Sequence, residues 1–297
     1  MLNGACLIPF IQVGPLRLGT YGLMVWLAFF CAYFVLDADL RRRKLPGDAL
    51  NIILLLVVAG LAGSKLYHLL ESPGEFFANP ISLFFSSYGF AWFGGFLGGL
   101  AVLLWLAHHY RVPILTFLDA CSPAAALGYA IGRIGCLLSG DGDYGIATNL
   151  PWGMKFYPET GCQVKHFICL VHGALVPSYG VTVGLPTSAI VPVHPTPVYE
   201  FIVGALIAWF LWRFGARRLE KQAAGGVLAA YLVLTGLARF LVEFIRINPR
   251  SAFGVLTNAQ VASLVSIVAG AALALVVRSR ATAAESRQTP AGQAGKR

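Results

Sequence analysis

Charge is what this sequence has least of. Only 12% of its 297 residues are Asp, Glu, Lys or Arg, against about 25% in an ordinary soluble domain. A soluble chain of this length needs more polar surface, so a soluble globular fold is excluded. No basic region precedes the first apolar run, so no cleavable signal peptide is expected. The stretch "NGAC" lacks the preceding apolar segment of a lipoprotein cleavage box. The six cysteines, Cys6, Cys31, Cys121, Cys136, Cys162 and Cys169, are too scattered to set a disulfide framework. Repeats are missing as well, both at solenoid periods and as the inverted duplication many transporters carry.

What the chain does contain is apolar. Hydrophobic residues make up 57% of it and the mean hydropathy is +0.71. About 20 apolar residues suffice to cross roughly 30 Å of hydrocarbon. Seven segments read as such helices: 21–38, 49–70, 89–108, 117–138, 197–213, 226–245 and 257–277. The predicted fold is an all-α polytopic membrane protein with seven transmembrane helices and a small outer (periplasmic) domain between helices 4 and 5. Residues 1–138 hold helices 1–4 and residues 197–278 hold helices 5–7. The Gly/Pro-rich segment 139–196 is too long for a plain connector. Residues 279–297 are polar enough to form a disordered cytoplasmic tail.

A net charge of +9 could serve nucleic acid, but its distribution argues against that partner. Fourteen basic residues fall in the first, third and fifth interhelical loops and the tail; the opposite side has Arg17, Lys155, Lys165, Arg246 and Arg250. The positive-inside rule then puts the C-terminus in the cytoplasm and the N-terminus outside, as in a multi-pass protein of the bacterial inner membrane.

The remaining basic residues, Lys65, Arg133 and Arg239, fall within or near the ends of spans, all in the outer half. An Arg at the bilayer centre costs about 2.5–3.5 kcal/mol on insertion scales. Any one of them could simply snorkel. Three at similar depth on different helices point to an anion-binding cavity, and lipid phosphate is the anion at hand. In "GYAIGRIG", Gly128, Gly132 and Gly135 surround Arg133, and "WFGGFLGG" repeats the device with Gly94, Gly95, Gly98 and Gly99. Small residues at such spacing allow close approach of a helix or a lipid. In "RFLVEFIR", Arg239 and Glu243 stand one turn apart, as an ion pair would, and Arg246 follows near the outer interface. "HPTPVYE" opens the fifth span, with prolines suited to a helix start and Tyr199 suited to the interface. His194 there is either a solvated loop residue or a proton shuttle. Cys162, His166, Cys169 and His172 have metal-ligand chemistry but no standard zinc spacing, so neither metal nor cofactor is expected. A Cys162–Cys169 disulfide suits the oxidising outer side better.

Taken in order, "YGLM", "GGFLGG", "GRIG" followed by "YG", "HPTPVYE", "RFLVEFIR" and "LTNAQVASL" resemble the prolipoprotein diacylglyceryl transferase family over about residues 18–277. The resemblance implies an inner-membrane enzyme of seven helices that moves the diacylglyceryl group of phosphatidylglycerol to the lipobox cysteine of a prolipoprotein signal peptide, releasing glycerol phosphate. Its partners would be that lipid, that peptide and the surrounding membrane lipids. The resemblance further implies that Arg133 and Arg239 match the family's essential arginines, and that Tyr21 and Gly145 match positions important for activity. Arg133, Arg239, Gly94, Gly95, Gly145, Tyr199 and Arg246 are then the expected substrate contacts, with Arg133, Arg239, His194 and Tyr21 as catalytic residues. Asp141 and Asp143 are rival counterparts of the family's acidic position, with Glu243 a further acidic candidate. Three positions depart from the family pattern: Phe93 for a His or Tyr, Cys136 for an Asn and Thr235 for a Tyr. A non-catalytic phospholipid-binding or lipid-moving paralogue is the alternative.

Overall fold

A computed structural model describes residues 5–6, 10–13, 15–71, 73–78, 81, 84, 91–139, 144–154, 156–157, 166–171, 174–179, 192–215, 223–248 and 254–288. Its long elements are helices: α1 (Thr20–Arg43), α2 (Ala49–Glu71), α4 (Trp92–His109), α5 (Ile114–Ser139), α6 (Thr196–Phe210), α7 (Gly226–Val242) and α8 (Asn258–Gln288), with a short α3 (Pro73–Ala78). A π-helical stretch, Leu211–Gly215, prolongs α6. Six of these are long and apolar enough to cross a membrane, and α7, at 17 residues, is apolar but shorter. The chain is therefore a polytopic membrane protein. In lipid a helix satisfies its backbone groups internally, which is why apolar runs adopt this form.

The helix boundaries differ from expectation at the C-terminal end. α8 continues past Arg278 to Gln288, through residues expected to be disordered. The reason is local: "ATAAESRQ" is rich in Ala, Glu, Arg and Gln, all good helix formers despite their polarity. Short strands, unforeseen in an all-α prediction, accompany the helices. β1 (Ala5–Cys6) pairs in parallel with β4 (Phe156–Tyr157), while β2 (Phe10–Val13) with β3 (Leu16–Gly19), and β5 (His166–Val171) with β6 (Ala174–Tyr179), form antiparallel ladders.

Two compact units divide the chain, the boundaries falling inside α1 and α5. In the unit Ala32–Cys121, α2 and α4 pack through glycine. A Cβ on Gly94 would strike the Gly63 carbonyl oxygen, and one on Gly98 would strike that of Ala59. Gly95 likewise sits against Ser64. Helix packing thus accounts for Gly94 and Gly95, which were expected as substrate contacts. At the arginine-rich end of α1, the buried Asp39 accepts from Arg42 and from Arg43 Nε at 3.2 Å. The basic loop is thereby partly neutralised by its own helix.

The second unit combines Met1–Cys31 with Ser122–Arg297. Its core joins Ala126 of α5, Ile207 and Ala208 of α6, Leu211 of the π stretch and Val227 of α7. Gly204 lets α6 approach α5 at Ala130, and Gly236 and Gly270 let α7 and α8 meet closely. Large apolar side chains such as Trp26, Trp209 and Val268 remain exposed, as surfaces facing lipid do. α5 is the most buried of the candidate spans. It carries Arg133.

Candidate active site

Three guanidinium groups from three places in the fold converge on one carboxylate. Pro195 and Pro197 start α6, and its first turns bring Glu200 inward, where it is 6% exposed. From α5, Arg133 Nη2 donates to Glu200 Oε1 at 3.2 Å and Arg133 Nε lies 3.1 Å from Oε2. From α7, Arg239 Nη1 donates to Oε1 at 2.9 Å. Arg246, beyond the end of α7, donates through Nη1 to Oε2 at 3.1 Å. Tyr129, one turn before Arg133, donates its hydroxyl to Oε1 at 2.5 Å and lies beneath the guanidinium, 5.4 Å from ring centroid to Cζ.

A second carboxylate closes the cluster. Glu243 Oε2 lies 3.0 Å from Arg239 Nη2 and 3.6 Å from Arg246 Nε, and its Oε1 accepts from Asn248 Nδ2 at 2.5 Å. Three arginines and two glutamates leave one net positive charge among these five residues. Exposure separates the arginines. Arg246 is 4% exposed and both glutamates are nearly sealed, whereas the side chains of Arg133 and Arg239 are 13% and 23% exposed. Arg133 and Arg239 are the two that a ligand can reach. Burying five charges together is tolerable because each is paired and hydrogen-bonded.

A small platform fixes the cluster's outer rim. Gly145 N donates to His194 O at 2.9 Å, Ile146 N to Ile245 O at 2.8 Å, and His194 N to Ile146 O at 3.1 Å. The backbone of Gly145 also bridges to Arg246. A Cβ at Gly145 would lie 2.7 Å from His194 Cβ and 2.7 Å from Ile245 O. Only glycine lets these three segments meet. On the same platform, Tyr199 Oη accepts from Trp152 Nε1 at 2.7 Å and lies 3.1 Å from His194 Nδ1.

The structure thus unites Arg133, Arg239, Arg246 and Glu243, with Gly145, His194 and Tyr199 on the adjoining platform. Tyr21 is half-exposed on α1 and borders α5 at Gly135, whose Cβ would lie 3.3 Å from its ring. Cys136 is buried and accepts from Arg133 Nη1 at 3.4 Å. Lys65 is buried in the Ala32–Cys121 unit, which also holds Gly94, Gly95 and the exposed Phe93. Thr235 bonds back to the Tyr231 carbonyl at 2.6 Å. Asp141, Asp143, Cys162 and His172 lie outside the described residues, as do the side chains of His166 and Cys169 and residues 289–297.

Sequence reasoning missed the hub. Glu200 ends the "HPTPVYE" motif and Tyr129 stands in "GYAIGRIG". The signal for Glu200 was present: an ionisable residue inside an apolar helix marks a functional site and needs a named partner. Tyr129 at i−4 from Arg133 was readable from helix periodicity.

Fold and site together define a polytopic membrane protein with a cationic cluster, partly open, held among its helices. Residues 9–276 match the prolipoprotein diacylglyceryl transferase family, and the chain belongs to that family. It is similar to the phosphatidylglycerol–prolipoprotein diacylglyceryl transferase of Leptospira interrogans, at 33% identity over 77% of this chain and 71% of the relative. The enzyme of that name from Bordetella bronchiseptica is 31% identical over 89% and 93% of the two chains. The one from Clostridium tetani is 29% identical over 86% and 91%.

Proposed function

We propose that this protein transfers the diacylglyceryl group of phosphatidylglycerol to the lipobox cysteine thiol of a prolipoprotein in the bacterial inner membrane. The observation that carries this reading is the pair of reachable arginines, Arg133 and Arg239, gathered with Arg246 around Glu200. The names of the relatives favour the enzyme over a non-catalytic lipid-binding paralogue.

The lipid phosphate lies against Arg133 and Arg239, whose planar donors suit a phosphate better than a point charge does. The cysteine sulfur, as thiolate, attacks the glycerol carbon that bears the phosphate ester. A C–S bond forms, the C–O bond breaks, and glycerol phosphate leaves with the electron pair. Negative charge grows on the departing phosphate, so the two arginines bind it more strongly as the reaction proceeds. Arg246 and Glu243 hold Glu200 and Arg239 in place from the buried side. The thiol proton passes to His194. In the tautomer that donates Nδ1–H to the Tyr199 oxygen, 3.1 Å away, Nε2 is the nitrogen that accepts it. Tyr21, Gly145 and Tyr199 border the lipid.

In this reading α7 crosses as well, which brings the spans to seven, the N-terminus lies outside, the C-terminus is cytoplasmic, and 139–196 forms a periplasmic segment. The test is transfer of radiolabelled diacylglycerol from phosphatidylglycerol to a lipobox peptide by purified protein. A thioether-linked product supports the reading, and lipid binding without transfer establishes the paralogue instead.

A further inference from the structure

Glu200 Oε1 has more donors than it can serve. Three converge on it: Tyr129 Oη at 2.5 Å, Arg239 Nη1 at 2.9 Å and Arg133 Nη2 at 3.2 Å. A carboxylate offers about two lone-pair sites per oxygen, so the longest of the three bonds is the most easily given up. The other oxygen, Oε2, accepts from Arg246 Nη1 at 3.1 Å, on a side chain only 4% exposed. Two of the donors on Oε1 thus belong to the arginines that a ligand can reach. A phosphate oxygen takes the same planar donors that a carboxylate does. The lipid headgroup and Glu200 therefore compete for them.

Tyr129 is the donor on Oε1 that does not enter this competition. Among the described residues, every other hydrogen bond accepted by Glu200 comes from a guanidinium. The Tyr129 hydroxyl is neutral, and it also accepts from Arg133 Nε at 3.3 Å. Its ring lies beneath the guanidinium, with Cζ 5.4 Å from the centroid. One side chain thereby holds both the carboxylate and the stem of an arginine bonded to it. A buried carboxylate oxygen stripped of donors is costly, and Glu200 is nearly sealed. With the hydroxyl in place, Oε1 keeps Tyr129 and Arg239 after Arg133 Nη2 has left.

We propose that Tyr129 is a positioning residue for lipid capture: it holds Glu200 Oε1 and Arg133 Nε while Nη2 of Arg133 passes from that carboxylate to the lipid phosphate. This role rests on the transferase reading and deepens it by naming the arginine that changes partner. Tyr129 touches no reacting atom. The exchange is complete once lipid is bound, so losing the hydroxyl weakens bound lipid and transition state alike. The loss belongs in KM rather than in kcat.

The test uses Tyr129→Phe in the full chain, purified in detergent as a monodisperse species; it keeps the ring and removes only the hydroxyl. Calorimetric binding of glycerophosphoglycerol, the donor lipid without its acyl chains, should weaken about tenfold, part of what a hydrogen bond to a charged group contributes. In turnover the apparent KM for phosphatidylglycerol should rise by a similar factor, while kcat stays within about threefold of wild type. Unchanged binding overturns the proposal, and so does a loss carried by kcat with KM unmoved, which is what a loosened site would give. If the Phe variant does not fold, 3-fluorotyrosine at position 129 keeps the shape and donates more strongly. Assayed below its own pKa, that protein should bind the probe more tightly than wild type, and equal or weaker binding overturns the proposal. Binding and transfer are read separately. A protein that shows the tenfold shift in binding but never modifies a lipobox peptide sinks the transferase reading and leaves this role of Tyr129 standing.

Discussion

Arg133 and Arg239 reach Glu200 through different atoms, and each retains enough exposure to meet a ligand. Lysine in either place keeps the charge but loses the planar fork. Arg133→Lys and Arg239→Lys should therefore insert and purify normally yet lose roughly a hundredfold in transfer rate, the scale of removing one donor from a preorganised site. Rates near wild type in both variants would show the arginines to be structural. Cys136 gives the opposite expectation. It lies against Arg133, but the substrate brings its own thiol, so Cys136→Ala should keep most of the activity. A lipid adduct on Cys136, sought by intact mass spectrometry, would contradict this. At this scale the sequence announced the arginines, because charge in an apolar helix is conspicuous. It concealed the hub, because the value of Glu200 depends on three helices meeting, and no spacing within one segment encodes that.

Among the elements, the short platform segments, joined by isolated β-bridges, matter more than their length suggests. Segments 144–154, 192–194 and 245–247 exchange backbone hydrogen bonds and so fix where Arg246 and His194 stand relative to α6. Gly145 is the point of closest approach, with His194 Cβ and Ile245 O each 2.7 Å from where a side chain would begin. Neither neighbour is the free end of a flexible chain. Gly145→Ala should cost about 1–3 kcal/mol in stability, the usual range for overpacking, and should slow transfer at least tenfold. A melting scan alongside the rate measurement checks both, and an unaltered variant would mean the platform can give way. The helices themselves were legible, because a run of about 20 apolar residues has few alternatives in a bilayer. Their ends were less so. α8 runs on through polar residues that are good helix formers, and the two-stranded ladders leave too short a pattern to detect.

For the whole molecule, the remaining question is which way it faces. The site places Arg133, Arg239 and Arg246 at one end of α5 and α7, the end from which the platform residues 144–154 and 192–194 also depart. Phosphate chemistry at that end fits the outer leaflet, where a secreted signal peptide presents its cysteine. The charge distribution agrees, with fourteen basic residues in the opposite loops and the tail against five on this side. Arg41 and Arg42 show how those loops keep their charge near the membrane: each pairs with an Asp on its own helix, Asp37 and Asp39. A phosphatase reporter, active only outside, should therefore be silent when fused after Arg297 and active when inserted between residues 150 and 190. That outcome requires an odd number of crossings between a periplasmic N-terminus and the tail, so it also demands that α7, at 17 residues shorter than the six candidate spans, cross the bilayer. At about 1.5 Å per residue it spans roughly 25 Å, and the turn that carries Glu243 and Arg246 extends it toward the interface. A C-terminal reporter active outside with the 150–190 insertion also active would leave α7 within the bilayer without crossing it, whereas a fully reversed pattern would put the arginine cluster in a different leaflet from the one where the acceptor cysteine arrives.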